Sequence, residues 1–193
     1  MTRVIAGSAR GRRLAVPGAG TRPTADRVRE AVFSAVTSAL GSLGGAHVLD
    51  LYAGSGAVGI EALSRGASHA LLVESDRKAL DVVRANVATV GLPGAVVIGG
   101  DVSRVTSAAP PPGAQPPYDL VFADPPYDLD DATLDAAIAG LAQHGWLGEG
   151  SLVLVERPRR RTATTWPDGF EPGRERTYGE TVVRSALWYG RDA

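Results

Sequence analysis

The chain of 193 residues contains no cysteine, which excludes disulfide bonds and thiolate metal sites. Its histidines, His47, His69 and His144, are scattered singly without metal-ligand spacing, so we expect no metal. The sequence shows neither a signal-peptide-like apolar region near its start nor an apolar run long enough to cross a membrane. We therefore expect a cytoplasmic protein with no membrane partner, folded around one substantial core.

The chain also has little excess charge, because 20 basic and 21 acidic residues give a net charge of −1. The distribution is uneven, however: residues 1–29 carry +6 and the remainder carries −7. Such asymmetry is typical of a segment that binds nucleic acid, although basic segments also occur as solvated surface. The arginines of this segment, which could bind phosphate through their guanidinium groups, are Arg3, Arg10, Arg12, Arg13, Arg22, Arg27 and Arg29.

The most informative stretch is Asp124-Pro-Pro-Tyr127. It follows an apolar run at residues 118–123 that is typical of a buried parallel strand, and the consecutive prolines hold the next backbone extended. Ligands of open α/β sheets bind at the carboxyl ends of strands, so we expect a binding site here. Asp124 and the Pro125 carbonyl could accept hydrogen bonds from an amino group on a planar ring stacked against Tyr127. Asp124, Pro125, Pro126 and Tyr127 are therefore the candidate catalytic residues.

A glycine loop follows an earlier strand at residues 46–52. Its glycines fit the spacing G-x-G-x-x-G, which also describes dinucleotide-binding loops. Asp50 favours a different ligand, because a carboxylate here would repel a pyrophosphate but attract the α-ammonium and sulfonium groups of S-adenosylmethionine. With either ligand, Glu74 at the end of the next strand could accept hydrogen bonds from both ribose hydroxyls.

A third acidic residue, Asp101, comes after a strand predicted at residues 95–98. Its carboxylate could accept a hydrogen bond from the adenine amino group of the same cofactor, and an ordinary turn aspartate is the alternative. The candidate cofactor-binding residues are Asp50, Ala53, Gly54, Ser55, Gly56, Glu74, Asp101 and Val102.

These motifs also resemble a known class of enzymes. Asp50-Leu-Tyr-Ala-Gly-Ser-Gly56, Glu74, Gly100-Asp101 and Asp124-Pro-Pro-Tyr127 are similar, in order and spacing, to the motifs of class I amino-methyltransferases. Residues 3–14 and 22–33 are similar to the N-terminal segments of the bacterial 16S ribosomal RNA guanine-N2 methyltransferases (RsmD-like), and the match extends to about Tyr189. Residues 107–117 depart from this family by forming a longer proline-rich segment than expected.

The resemblance implies methyl transfer from S-adenosylmethionine to the exocyclic N2 amine of a guanine in small-subunit ribosomal RNA. It makes the N-terminal arginines candidate contacts to that RNA, within an assembled or partly assembled particle, and a monomer is the default expectation. The acceptor could instead be adenine N6 of DNA or RNA. A non-catalytic RNA-binding assembly factor and a dinucleotide-dependent oxidoreductase also stay open.

The alternation of strands and helices predicts an α/β fold. We expect the Rossmann-like class I methyltransferase form: a seven-stranded, mostly parallel sheet with helices on both faces and an antiparallel C-terminal hairpin. A small, basic N-terminal β-hairpin extension is placed at residues 1–20 and the methyltransferase domain at residues 21–193. Residues 157–161 contain four arginines, which form either a solvated loop or a second phosphate contact.

Overall fold

The structure, a computed structural model, describes residues 1–18, 23–161 and 164–190. Its strands are β1 (Thr2–Arg3), β2 (Arg13–Leu14), β3 (His47–Leu51), β4 (His69–Glu74), β5 (Ala95–Gly99), β6 (Tyr118–Ala123), β7 (Leu147–Pro158), β8 (Phe170–Pro172), β9 (Arg176–Tyr178) and β10 (Thr181–Trp188). Its helices are α1 (Pro23–Leu40), α2 (Ala57–Ser64), α3 (Arg77–Val90), α4 (Val102–Thr106) and α5 (Asp131–Gln143).

The main sheet has the order β5-β4-β3-β6-β7-β10, and both β8 and β9 pair with the outer edge of β10. The strands from β5 to β7 run parallel, whereas β10 runs antiparallel to its neighbours. Because β8 pairs with residues 186–188 and β9 with residues 181–183, these short strands share the seventh position across the sheet. The predicted mostly parallel sheet with an antiparallel C-terminal end is therefore confirmed.

The connections place a crevice between β3 and β6. From β3 the chain moves outward through β4 to β5, and it then returns to the other side of β3 to form β6. This reversal is the topological switch point at which ligands of open α/β sheets bind. The glycine loop follows β3 and the Asp124-Pro-Pro-Tyr127 motif follows β6, so both begin at this crevice.

Helices cover both faces of the sheet because their apolar residues recur at helical spacing. In α1, the side chains of Val28, Val32 and Val36 are buried against the same face as α2 and α3. On the other face, α4 and α5 bury Val102, Leu134 and neighbouring residues against β6 and β7. No described helix is both long and apolar enough to cross a membrane.

The predicted N-terminal hairpin is present as the short pair β1–β2, and it packs on the helices behind the glycine loop. Val4 and Leu14 are buried against Ile60 of α2. Glu61, fully buried, accepts hydrogen bonds from the backbone N–H groups of Ile5 (2.6 Å) and Ala6 (2.9 Å). The hairpin is thus held by buried polar contacts, while its predicted boundary near residue 20 falls outside the described residues and stays a prediction.

Several short features of the fold were not predicted. The helix α4 and the strand β8 contain only 5 and 3 residues, too few for hydrophobic periodicity to show. The proline-rich segment at residues 107–117 contains neither helix nor strand, as predicted. It is nonetheless attached to the fold, because its Ala108 carbonyl accepts a hydrogen bond from the buried Trp146 indole at 2.9 Å.

We predict that Glu61→Ala destabilises the protein strongly. The buried guanidinium of Arg29 lies 3.9 Å from the Glu61 carboxylate, and Arg65 donates to it at 2.8 Å. Removing a buried charge partner costs about 3–5 kcal/mol in the free energy of unfolding, measurable by urea denaturation. The matched control is Glu30→Ala, an exposed glutamate on α1, where a change within about 0.5 kcal/mol is expected. Equal losses in both variants would contradict the structural role of Glu61.

Candidate active site

Three carboxylates lie at the carboxyl ends of neighbouring parallel strands. The pairing register sets Ala123 of β6 opposite Val155 of β7, so Asp124 and Glu156 follow side by side. Asp50 lies near the end of β3, on the other side of β6. Side chains alternate between the two faces of a sheet, and these three line one cavity of about 200 Å³.

Asp50 is almost fully buried, and its Oδ2 accepts a hydrogen bond from the backbone N–H of Gly59 in α2 at 2.9 Å. Burial raises the pKa of Asp50 to about 8, an increase that the Gly59 hydrogen bond opposes and that the charges of Asp124 and Glu74 reinforce. A cation entering the cavity would therefore stabilise the ionised form of this carboxyl group.

The glycine loop has the backbone conformation that glycine permits. Gly54 and Gly56 have φ angles of 58° and 75°, in the left-handed region. A Cβ on Gly56 would lie 2.4 Å from Cγ2 of Val83, whereas a Cβ on Gly54 would meet only the Tyr52 carbonyl oxygen, at 3.9 Å. Packing thus requires glycine at position 56, and the backbone at Gly54 is left open to a ligand.

Tyr52, immediately before this loop, is a second backbone feature of the site. It has a φ of 60°, which is unusual for a bulky residue and costs conformational energy. Strained residues of this kind cluster at functional sites. Burial, with a contribution from the charge of Asp101, raises the pKa of Tyr52 to about 12.

Glu74 connects the loop to the end of β4. One carboxylate oxygen accepts from the Gly54 N–H at 2.8 Å, and the other accepts from the N–H groups of Ser75 and Asp76, each at 2.8 Å. The structure therefore brings Glu74 beside the glycine loop. Its predicted ribose contact stays a prediction. So does the predicted role of Ala53 and Ser55, which line the cavity, in cofactor binding.

Asp101 is exposed and caps the short helix α4, where its Oδ1 accepts from the Arg104 N–H at 3.0 Å. Its effect on Tyr52 places it near the site. The side chain of Val102 is buried in the core, which leaves only its backbone for a ligand. The adenine contact predicted for Asp101 and the cofactor contact predicted for Val102 stay predictions.

The Asp124-Pro-Pro-Tyr127 motif continues from β6 along the cavity. The side chain of Asp124 lines the cavity and is partly accessible to solvent. Desolvation by the surrounding protein raises the pKa of Asp124 to about 6, and the positive charge of Arg157 opposes this rise. Pro125 is buried, and the Pro126 carbonyl accepts from the Leu129 N–H at 3.0 Å. The Tyr127 side chain is 52% exposed.

Arg157 holds this motif in place. Its side chain is buried, and its Nη2 donates to the Leu129 carbonyl at 2.7 Å and to Asp131 at 2.8 Å. Both predictions for residues 157–161, a solvated loop or a phosphate contact, are therefore wrong for Arg157. Arg161 donates to the Tyr127 carbonyl, and the exposed residues Arg159 and Arg160 are left as candidate phosphate contacts.

The predicted RNA-binding arginines divide into distinct groups. Arg3, Arg10 and Arg13 are exposed. Arg12 is also exposed, but it donates to the backbone carbonyls of Thr89 and Val90 at the end of α3, each at 3.2 Å. Arg22 and the side chain of Arg27 lie outside the described residues.

The position of Arg29 does not fit its predicted role as an RNA-binding residue. Its guanidinium is 6% exposed and donates to the Arg3 carbonyl at 2.6 Å and to Asp26 at 3.0 Å, with Glu61 nearby. The charge is therefore neutralised inside the protein and fastens the N-terminal hairpin to α1 and α2. A direct RNA contact does not fit this burial.

Comparison with known proteins places the chain in a family. The family model described as Conserved hypothetical protein 95 matches residues 2–186. The chain belongs to this family. It is 37% identical over 183 residues to Ribosomal RNA small subunit methyltransferase D of Escherichia coli (strain K12), covering 94% of this chain and 87% of that protein. The protein of the same name from Haemophilus influenzae is 33% identical over 183 residues, covering 94% and 91%.

A solved structure supports the assignment of the chain to this family. The Escherichia coli protein yhhF is 34% identical, with a TM-score of 0.82 and coverage of 98% of this chain and 99% of that one. The predicted Rossmann-like methyltransferase fold and the predicted family are confirmed.

Glu156, a further acidic residue that lines the cavity, was not identified from the sequence. Burial and the nearby Asp124 charge raise the pKa of Glu156 to about 8. Its signal was an acidic residue directly after the apolar run of β7, the same pattern that drew attention to Asp124 after β6. The arginines that follow it diverted the interpretation toward phosphate binding.

We predict that Asp50→Asn weakens the pH dependence of stability. The pKa of Asp50 rises from 3.8 to about 8, so between these values the folded state binds a proton that the unfolded state has released. The free energy of unfolding should therefore fall as the pH rises through this range, and asparagine should flatten the fall. Urea denaturation at several pH values between about 5 and 8 measures this.

The matched control for Asp50→Asn is Asp81→Asn, an exposed aspartate on α3. We expect this variant to follow the wild-type profile. If Asp50→Asn also follows it, the carboxyl group of Asp50 is not the buried acid that the structure indicates.

Proposed function

We propose that this protein transfers a methyl group from S-adenosylmethionine to the exocyclic N2 amine of a guanine in the 16S ribosomal RNA of the small subunit. Membership of a family whose relatives are named Ribosomal RNA small subunit methyltransferase D supports the activity on ribosomal RNA. The observation that carries the chemistry is the meeting of Asp50, the glycine loop and Asp124 in one cavity at the switch point.

The residues present suit a cationic methyl donor. Bound S-adenosylmethionine would supply a methyl group on a positively charged sulfur together with an α-ammonium group. Asp50, whose pKa is raised to about 8 by burial, is stabilised in its charged form by such a ligand. The open backbone at Gly54 allows close approach, and Glu74 stands beside it for the ribose.

A dinucleotide suits the cavity less well. Its pyrophosphate would meet Asp50, Asp124 and Glu156, which line the same cavity and would repel it when ionised. The oxidoreductase alternative is therefore disfavoured on the charge of the site. One N–H of the first turn of α2, that of Gly59, moreover already donates to the Asp50 carboxylate.

The Asp124-Pro-Pro-Tyr127 motif suits the acceptor amine. An exocyclic amine is a poor nucleophile because its lone pair is delocalised into the ring. If Asp124 and the Pro125 carbonyl accept its two N–H bonds, the lone pair is directed at the methyl carbon. With S-adenosylmethionine bound beside Asp50 and the glycine loop, the new C–N bond would form as the C–S bond breaks, and the nitrogen would then lose a proton. Arg157 positions these acceptors by holding the segment that follows them.

The base must leave its stack to reach Asp124, which costs least in a loop or bulge. The exposed Tyr127 ring offers a stacking surface, worth about 1–3 kcal/mol per base. Arg159 and Arg160 line the same surface depression as Tyr127, and Arg3, Arg10 and Arg13 are exposed on the N-terminal hairpin. We propose that these arginines bind phosphates of the RNA.

The decisive experiment supplies labelled S-adenosylmethionine and small ribosomal subunits that lack the modification, and then identifies the methylated nucleoside. Label in N2-methylguanosine is expected. Label on adenine would overturn the guanine assignment, and cofactor binding without label would favour the non-catalytic alternative. We further propose that the enzyme is a monomer in the cytoplasm and that its substrate is an assembled or partly assembled particle. Comparing methylation of free 16S RNA, partly assembled particles and complete subunits tests the nature of the substrate.

We predict that Asp124→Ala abolishes turnover and leaves binding of S-adenosylmethionine unchanged. The loss should reach about 100-fold or more in kcat, because an acceptor that orients the amine is removed. Calorimetry measures binding and the labelling assay measures turnover. Asp128→Ala is the control, since Asp128 is an exposed residue of the same loop and should retain activity. Full activity of Asp124→Ala would refute the assignment of the motif.

We also predict that Arg10→Ala combined with Arg13→Ala weakens RNA binding and lowers its salt dependence. The slope of log K against log salt should decrease by about 0.7 for each single-strand phosphate that an arginine no longer neutralises, as measured by filter binding at several salt concentrations. Arg174→Ala, an exposed arginine beside β9, is the control and should keep the wild-type slope. An unchanged slope in the double variant would remove the hairpin from the RNA-binding surface.

A further inference from the structure

Glu156 and Asp124 form a pair of neighbouring acceptors. They follow the paired residues Val155 and Ala123 of parallel strands, and both line the cavity. Within residues 1–18, 23–161 and 164–190, the structure records no hydrogen-bond donor on either carboxylate. The Arg157 guanidinium, although nearby, is directed to Leu129, Asp131 and the Pro126 carbonyl instead. The pair therefore faces the cavity with unused acceptor capacity.

Two adjacent acceptors favour a ligand with two adjacent donors. Among the RNA bases, guanine alone places a ring N–H, at N1, directly beside an exocyclic amine. Adenine and cytosine have an unprotonated ring nitrogen beside their amines. The lone pair of that nitrogen would face the lone pairs of a carboxylate oxygen and repel them. Uracil has no amine. The pair thus fits the Watson–Crick edge of guanine, whose N2 amine is the proposed methyl acceptor.

We propose that Glu156 is a specificity-determining residue that accepts the N1–H of the target guanine while Asp124 and the Pro125 carbonyl accept the N2–H groups. This assignment rests on the proposed function and adds to it how the base is selected.

The proposed contact with N1–H requires Glu156 in its ionised form. Burial and the Asp124 charge raise the pKa of Glu156 to about 8. A ligand whose N–H groups donate to Glu156 and Asp124 favours the ionised forms of both groups. A cationic methyl donor beside them has the same effect. Binding of guanine and of the donor should therefore support each other.

The test replaces the target guanine by 2-aminopurine, in small-subunit particles that lack the modification. 2-Aminopurine keeps the N2 amine, but its N1 is an acceptor. We expect the wild-type protein to prefer guanine by roughly 10- to 100-fold in kcat/KM, the value of a hydrogen bond to a charged group. Glu156→Gln should reduce this ratio by about 10-fold or more, because the glutamine amide can donate to N1 of 2-aminopurine and can still accept from guanine.

Each outcome separates the assignment from the proposed function. Failure of the wild-type protein to methylate guanine would overturn the function itself. Methylation of guanine and 2-aminopurine at equal rates would leave the function intact and refute the role of Glu156, whatever the variant does. An unchanged base preference in a Glu156→Gln protein that melts normally and binds S-adenosylmethionine would refute it as well. Glu171→Gln, an exposed glutamate in β8, is the control and should keep the wild-type preference.

Discussion

The site depends on one constraint: three acidic side chains lie close together at the carboxyl ends of neighbouring parallel strands. The parallel register of β3, β6 and β7 delivers Asp50, Asp124 and Glu156 to the same cavity. Burial raises the pKa of all three carboxyl groups, and the charge of Asp124 raises those of Asp50 and Glu156 further. The Gly59 N–H donates to Asp50, and the Arg157 charge lowers the pKa of Asp124. Arg29 also lines the cavity, but its guanidinium donates to Asp26 and to the Arg3 carbonyl, so a ligand would supply further positive charge and N–H donors.

Much of this fold could be predicted because its signals are local. The glycines of the loop, the apolar strands and the Asp124-Pro-Pro-Tyr127 motif are each recognisable within a few residues, and parallel strands bring their ends together by rule. The short elements α4 and β8 gave no periodic signal. Their absence from the prediction did not affect the predicted fold class, a mostly parallel sheet with an antiparallel C-terminal end.

The side chains that were misjudged are those whose role depends on distant partners. Arg29 and Arg157 look like other arginines in basic stretches, yet both are buried because acceptors far away in sequence surround them, Arg3 and Glu61 for one, Leu129 and Asp131 for the other. Charge counts cannot contain this information. Glu156 follows an apolar run as Asp124 does, but the arginines after it drew the interpretation to phosphate binding, and only the pairing of β6 with β7 shows that the two acidic residues are neighbours.

The N-terminal hairpin also forms part of the wall of the cavity. Thr2 and Val16 line the cavity together with Asp124 and Glu156, although they are far apart in sequence. A ligand that contacts this wall would stabilise the hairpin in its docked position, and a substitution that loosens the hairpin would lower the affinity for that ligand, because the two equilibria are linked.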